Sequence, residues 1–105
     1  MFARVTFFGI DTLKISPDDA LELFKKLVVP ETTKQEGYQG MYVIRTPEGK
    51  GMIISFWNSK EAAMSGVLSG YYDEQVRKFL SFYGSAPGRE HYEVVLEDMP
   101  GKTGI

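Results

Sequence analysis

One histidine, His91, and one tryptophan, Trp57, are the chain's only residues of their kinds, and cysteine is absent. Acid–base work near neutral pH needs a group that titrates there, and His91 supplies the one imidazole. It stands between Glu90 and Tyr92, where a solvent-facing or interface position on a strand is an equally natural reading. A lone histidine cannot build a metal site, and no carboxylate pair accompanies it at helical spacing. The missing thiols remove disulfides, thiolate nucleophiles and thiolate ligands together. The expectation is a chain with no metal and no cofactor, and His91 and Arg4 are its two candidate catalytic residues.

Arg4 interrupts the apolar run Phe2-Ala3-Arg4-Val5-Thr6-Phe7-Phe8-Gly9-Ile10. A guanidinium buried in a strand requires an anionic or polar partner. Arg4 therefore either receives a ligand carboxylate or phenolate, or pairs with a strand carboxylate such as Glu93. Arg4, Thr6 and Phe8 alternate and so share one face of that strand. Trp57 reads either as a pocket wall or as a packing residue with its indole N–H bonded locally. Tyr71 and Tyr72 can orient an aromatic ligand or simply pack. Gly49-Lys50-Gly51 has no helix after it, so it reads as a hairpin turn and not as a phosphate cradle.

The elements that position these residues follow from local chemistry. Phe2 to Ile10 is aromatic and β-branched, as a first strand is. Ser16-Pro17-Asp18-Asp19 starts a helix, with a capping hydroxyl, a proline suited to the first position and acids at the positive end of the dipole. Ala20, Leu21, Phe24, Leu27 and Val28 form its apolar stripe. Pro30 kinks or restarts it and Gly37 ends it. Met41–Thr46 and Gly51–Trp57 read as antiparallel strands joined by Pro47-Glu48-Gly49-Lys50. Asn58 is the expected cap of a second helix carrying Ala63, Met64, Val67 and Leu68. Asp73 opens a further helical segment with Val76, Phe79, Leu80 and Tyr83, and Glu90–Glu97 reads as the last strand.

The order is βαββαβ, the split βαβ arrangement of a ferredoxin-like α+β fold with a four-stranded antiparallel sheet. Right-handed crossovers put both helical blocks on one sheet face. The other face stays bare, although Ala3, Val5, Phe7, Tyr42, Ile44, Ile53 and Tyr92 fall on one side, and Phe2, Phe8, Met41, Val43, Met52, Ile54 and Phe56 on the other. With neither side polar, two chains are expected to stack sheet to sheet as a homodimer, forming a dimeric α/β barrel. Between helices and sheet a cleft is expected, lined by Arg4, Thr6, Phe8, Trp57 and Met64. Val67, Tyr72, Phe79 and Phe82 complete that lining, which suits a small aromatic ligand.

At 105 residues the chain is the size of one domain, read as a folded unit over 1–98 with a flexible C-terminal tail over 99–105. Hydrophobic residues make up 43% and charged residues 25%, a globular composition. The 12 basic residues are scattered and outnumbered by 14 acidic ones, which argues against nucleic acid as a partner. The apolar N-terminal run is short and contains Arg4, so neither an export signal nor a membrane span is expected, and the expected compartment is the cytoplasm.

Two segments, Gly37-Tyr38-Gln39-Gly40-Met41-Tyr42-Val43 and Ile54-Ser55-Phe56-Trp57-Asn58-Ser59-Lys60-Glu61-Ala62, resemble the antibiotic biosynthesis monooxygenase type of dimeric α/β barrel. The resemblance spans most of the chain and implies a cofactor-independent oxygenase of aromatic or quinone-like substrates; the absence of a convincing acid–base pair points to the alternative, a non-catalytic small-ligand-binding or stress-related dimeric barrel. Members that oxidise quinols or aromatic polyketides resemble one another in a Glu-x-Trp at the end of the third strand and a histidine nine residues later. Here those positions are Ser55 and Gly66. Haem-degrading members resemble one another in an asparagine, a tryptophan and an axial histidine whose positions are Thr6, Gly66 and Val76 here, so that resemblance implies no iron ligand.

Overall fold

The computed structural model describes residues 1–68, 77 and 88–103. Its first strand, β1 (Phe2–Gly9), leads into α1 (Pro17–Leu27). Ser16 caps α1, its Oγ accepting from the Asp19 N–H at 3.1 Å, and Pro17 takes the first turn. Pro30 has the expected effect. The chain restarts as α2 (Val29–Thr33), and Thr32 Oγ1 donates to the Val28 carbonyl at 3.0 Å across the junction.

Gly37 ends this block in the left-handed region at φ +84. A Cβ there would lie 2.6 Å from Ala62 Cβ and 2.6 Å from Asn58 Oδ1. Gly37→Ala is therefore expected to destabilise the fold by at least about 1–2 kcal/mol from the backbone alone, read as a lower urea midpoint. An unchanged midpoint would show that the loop relaxes freely.

A hairpin follows, β2 (Tyr38–Arg45) and β3 (Lys50–Trp57). Its turn is closed by Thr46 N–H to the Lys50 carbonyl at 2.7 Å, with Gly49 at φ +93. The next helix, α3 (Lys60–Leu68), is capped by Ser59, whose Oγ accepts from Ala62 N–H at 3.0 Å. The expected cap, Asn58, sits one residue too early, and its own N–H is bonded to the Gly37 carbonyl at 2.9 Å. Tyr71, Tyr72, Phe82 and the segment expected from Asp73, with Val76, Phe79, Leu80 and Tyr83, lie outside the described residues, Arg77 excepted.

The last strand of the main sheet, β4 (Gly88–Glu93), stops earlier than the expected Glu97, although Val94 N–H still reaches the Met1 carbonyl at 2.9 Å. Beyond it Val95 and Leu96 are 85% and 78% exposed. Where a frayed end is expected, β5 (Asp98–Met99) and β6 (Lys102–Thr103) pair as a short hairpin around Gly101 at φ +76.

The main sheet is antiparallel throughout in the order β2-β3-β1-β4, the ferredoxin-like α+β arrangement, and it is open. Register sorts its two faces. Arg4 stands opposite Ser55 on one side and His91 on the other, and Thr6 opposite Ile53 and Arg89, so these residues share the face beneath the helices. Ala3, Val5 and Phe7 share the opposite face with Phe56, Ile54 and Met52, and with Tyr42, Ile44 and Tyr92.

One expectation is thereby corrected. Ile53 lies under the helices, and Met52, Ile54 and Phe56 lie on the open face, because a slip of one residue in β3 exchanges all its side chains between faces. On that open face Phe7, Tyr42, Ile44 and Tyr92 are each at least 40% exposed. Among the described residues, no helix is long and apolar enough to cross a membrane.

Candidate functional site

Two central strands and one helix bring the singled-out residues together. Trp57 ends β3 on the helix-side face and is 1% exposed, and its indole Nε1 donates to Ser55 Oγ at 2.9 Å. Ser55 Oγ in turn donates to the Arg4 carbonyl of the neighbouring strand at 3.4 Å. The Arg4 guanidinium lies over the indole, 4.8 Å from its centroid, and donates from Nη1 to the Ala63 carbonyl of α3 at 3.1 Å. Arginine over tryptophan is favourable by about 0.5–2 kcal/mol as desolvation increases. Tyr38 closes the far edge, its ring meeting the indole edge-on at 5.6 Å. Burial raises the Tyr38 phenol above its ordinary pKa, so it stays protonated.

Arg4 is thus held by a carbonyl and an aromatic face, and Glu93, the carboxylate expected to pair with it, stands opposite Phe2 instead. His91 enters the same layer from β4. Burial is the largest influence on its ring and lowers its pKa. The neighbouring Arg4 charge lowers it further, the Ala63 carbonyl raises it, and Arg89 and Lys60 act in the lowering direction. The lowered pKa favours the neutral ring, and its Nε2 is buried with no hydrogen-bond partner among the described residues.

A sign follows for stability. The folded pKa lies below that of the unfolded chain, about 6.5, so the unfolded state takes up the proton first. This contribution is present above that value and is lost as pH falls through the folded pKa. The thermal midpoint of His91→Gln is expected to fall less than that of the parent between neutral and mildly acidic pH. Parallel slopes would remove His91 as the cause.

The other expected cleft residues are distributed more widely. Thr6 is 6% exposed on the helix-side face, and Met64 is half-buried on α3. Phe8 lines a separate groove beneath α1. Val67 belongs to α3 but its side chain, like Tyr72, Phe79 and Phe82, lies outside the described residues. Sequence reasoning missed Ser55 and Tyr38 as members of this cluster. The signal for Ser55 was available, since it lies two residues before Trp57 and so on the same strand face. Among the described residues no three His, Asp or Glu side chains gather as a metal-binding group.

The profile of the antibiotic biosynthesis monooxygenase family matches residues 12–66, just over half of the chain. Among proteins of curated function none matches the sequence. Several solved structures share the fold. SnoaB from Streptomyces nogalater, described as a cofactor-independent oxygenase, superposes with a TM-score of 0.73 at 10% identity, covering 91% of this chain and 94% of that one. The monooxygenase from the ActVA-Orf6 gene of Streptomyces coelicolor, solved with nanaomycin D, gives 0.71 at 16% identity, covering 94% and 91%. MhuD, solved with two manganese protoporphyrins per active site, gives 0.69 at 14% identity, covering 94% and 99%. At such identities the likeness shows the fold alone.

Proposed function

The chain belongs to the antibiotic biosynthesis monooxygenase family, and from that premise we propose that it is a cofactor-independent oxygenase of a small aromatic or quinone-like substrate with an acidic methylene or phenol. The observation that carries this reading is the buried Nε2 of His91, without a hydrogen-bond partner among the described residues, on a ring that burial and the Arg4 cation bias toward the neutral form. Position 66, where the resemblance puts a histidine, is glycine; the imidazole comes instead from β4 against Ala63, one helical turn earlier. A neutral imidazole is a base, and a fixed cation nearby favours the anion that proton loss creates.

For an anthrone-type methylene the steps balance. Nε2 takes one proton, the carbanion reduces dioxygen and forms a C–O bond, and loss of water leaves a ketone. Dioxygen and the methylene thus yield one ketone and one water, with substrate as the sole reductant. A haem-degrading role is not part of the proposal, because Gly66 and Val76 offer iron no donor atom.

Oxygen uptake by the purified chain over a panel of anthrones and hydroquinones, with no cofactor added, tests this. One dioxygen consumed per ketone formed is expected with an anthrone, and uptake no faster than in buffer would overturn the reading. The second reading, a ligand-binding barrel without turnover, draws on Arg4 being already engaged by Ala63 and Trp57. It requires saturable ligand binding with no uptake.

The proposal includes a homodimer formed through the open sheet face. Phe7, Tyr42, Ile44 and Tyr92 support it, since exposed apolar area of this kind is costly on a monomer. Light scattering is expected to give twice the chain mass at micromolar concentration, and Tyr42→Asp with Ile44→Asp to give the single mass. A parent that is monomeric there would remove this part.

A further inference from the structure

Two apolar surpluses remain at opposite edges of the main sheet. One follows β4. Val94 N–H bonds to the Met1 carbonyl at 2.9 Å, so the chain leaves along the line of β4, and Val95, Leu96 and Met99 then stand exposed on the way into the β5–β6 hairpin. The other surplus is the outer edge of β2, which has no strand beside it among the described residues. An uncovered edge offers unpaired backbone donors and acceptors, and proteins blunt it with lysine, proline, a bulge or a covering segment. β2 contains neither lysine nor proline, and its one irregularity, between Tyr38 and Gly40, lies at its start. Farther along, Tyr42 and Ile44 are 55% and 44% exposed.

We propose that residues 94–103 form an arm that covers the β2 edge of a second copy of this chain, Val95 and Leu96 packing against Tyr42 and Ile44. The inference rests on the homodimer reading and adds a contact that the stacked faces alone do not supply. The arm does not cover its own edge. In the order β2-β3-β1-β4 it leaves from the far side of the sheet, three strand spacings or about 14 Å from β2, and Val95 and Leu96 stay exposed there. When one open face is turned onto the other about a two-fold axis along the strands, β4 of each copy comes over β2 of its partner. Each arm then starts beside the edge it covers. The contact occurs twice, as two-fold symmetry demands, and leaves no free β2 edge for a third chain. An extended segment laid on such an edge gains main-chain hydrogen bonds as well as apolar burial.

Sedimentation of the whole chain tests the proposal. Val95→Asp combined with Leu96→Asp changes two side chains that meet solvent in a single copy, so the domain keeps its fold, which circular dichroism checks. The dimer dissociation constant is expected to rise by about 10²-fold or more, since the burial of four aliphatic side chains per dimer is lost. Leu13→Asp, at a residue 96% exposed between β1 and α1, is expected to leave the constant unchanged. The absence of cysteine permits a direct test of contact. When a Leu96→Cys chain is mixed with an Ile44→Cys chain, a short bis-maleimide should join unlike chains in preference to like ones. A parent chain that sediments as a monomer at micromolar concentration would overturn the homodimer reading and the arm together. A dimer whose constant is unmoved by the paired aspartates, or is raised as much by Leu13→Asp, would overturn the arm and leave the homodimer standing. Cross-links between like chains alone would do the same.

Discussion

Trp57→Ala is expected to lower the unfolding free energy by about 3–5 kcal/mol, the usual range for removing a buried large aromatic side chain. A small domain's whole stability is about 5–15 kcal/mol, so the variant stands near the edge of folding. The indole is 1% exposed and does three things at once: it packs edge-on with Tyr38, lies under the Arg4 guanidinium and donates to Ser55. Alanine leaves a cavity and strips one face of a buried cation. Trp57→Phe keeps the ring but not the N–H and should cost less than half as much. Urea unfolding measures both. A loss below about 1 kcal/mol for Trp57→Ala would mean that the layers collapse freely onto the gap, against the usual partial relaxation.

On the oxygenase reading proposed above, His91→Gln is expected to reduce turnover by about 10²–10⁴-fold, the contribution typical of a positioned general base, while leaving the sheet intact. Glutamine preserves polarity and approximate size but takes no proton. With burial and Arg4 both lowering the His91 pKa, the parent's rate should rise with pH through an apparent pKa below the ordinary histidine range and then level off. In the variant that rise should vanish. A variant with parental turnover and the same pH profile would assign the chemistry elsewhere. Loss of rate without loss of the profile would point to a packing role for the ring.

Much of the fold was legible because its signals are local. Ser16-Pro17-Asp18-Asp19 marks a helix start, Pro30 a break and Pro47-Glu48-Gly49-Lys50 a hairpin, and each holds without reference to distant residues. The faces of β3 were not legible, since Met52-Ile53-Ile54 and Phe56 are all apolar and alternation needs a polar partner to carry information. Arg4 and Trp57 stood out by type, yet their meeting depends on the β1–β3 register and on the height of α3, neither of which a strand pattern specifies. The groove beneath α1 shares Phe8 with the cleft expected between helices and sheet, but its α1 wall was not legible: Ala20, Leu21 and Phe24 read as a buried stripe, and a stripe does not reveal how closely the sheet approaches it.

The Arg4 bond to the Ala63 carbonyl joins residues 59 apart in the chain, which has a kinetic consequence. Contacts of such separation close only after their loop entropy is overcome, and this one requires β1 to have docked beside β3 with α3 already laid across them. A chain halted earlier on its folding route has the hairpin but neither the covered indole nor the cation above it. Final assembly of the sheet and readiness of the site are then one event. The single tryptophan provides a built-in fluorophore, so refolding traces from Trp57 emission should rise together with the recovery of activity.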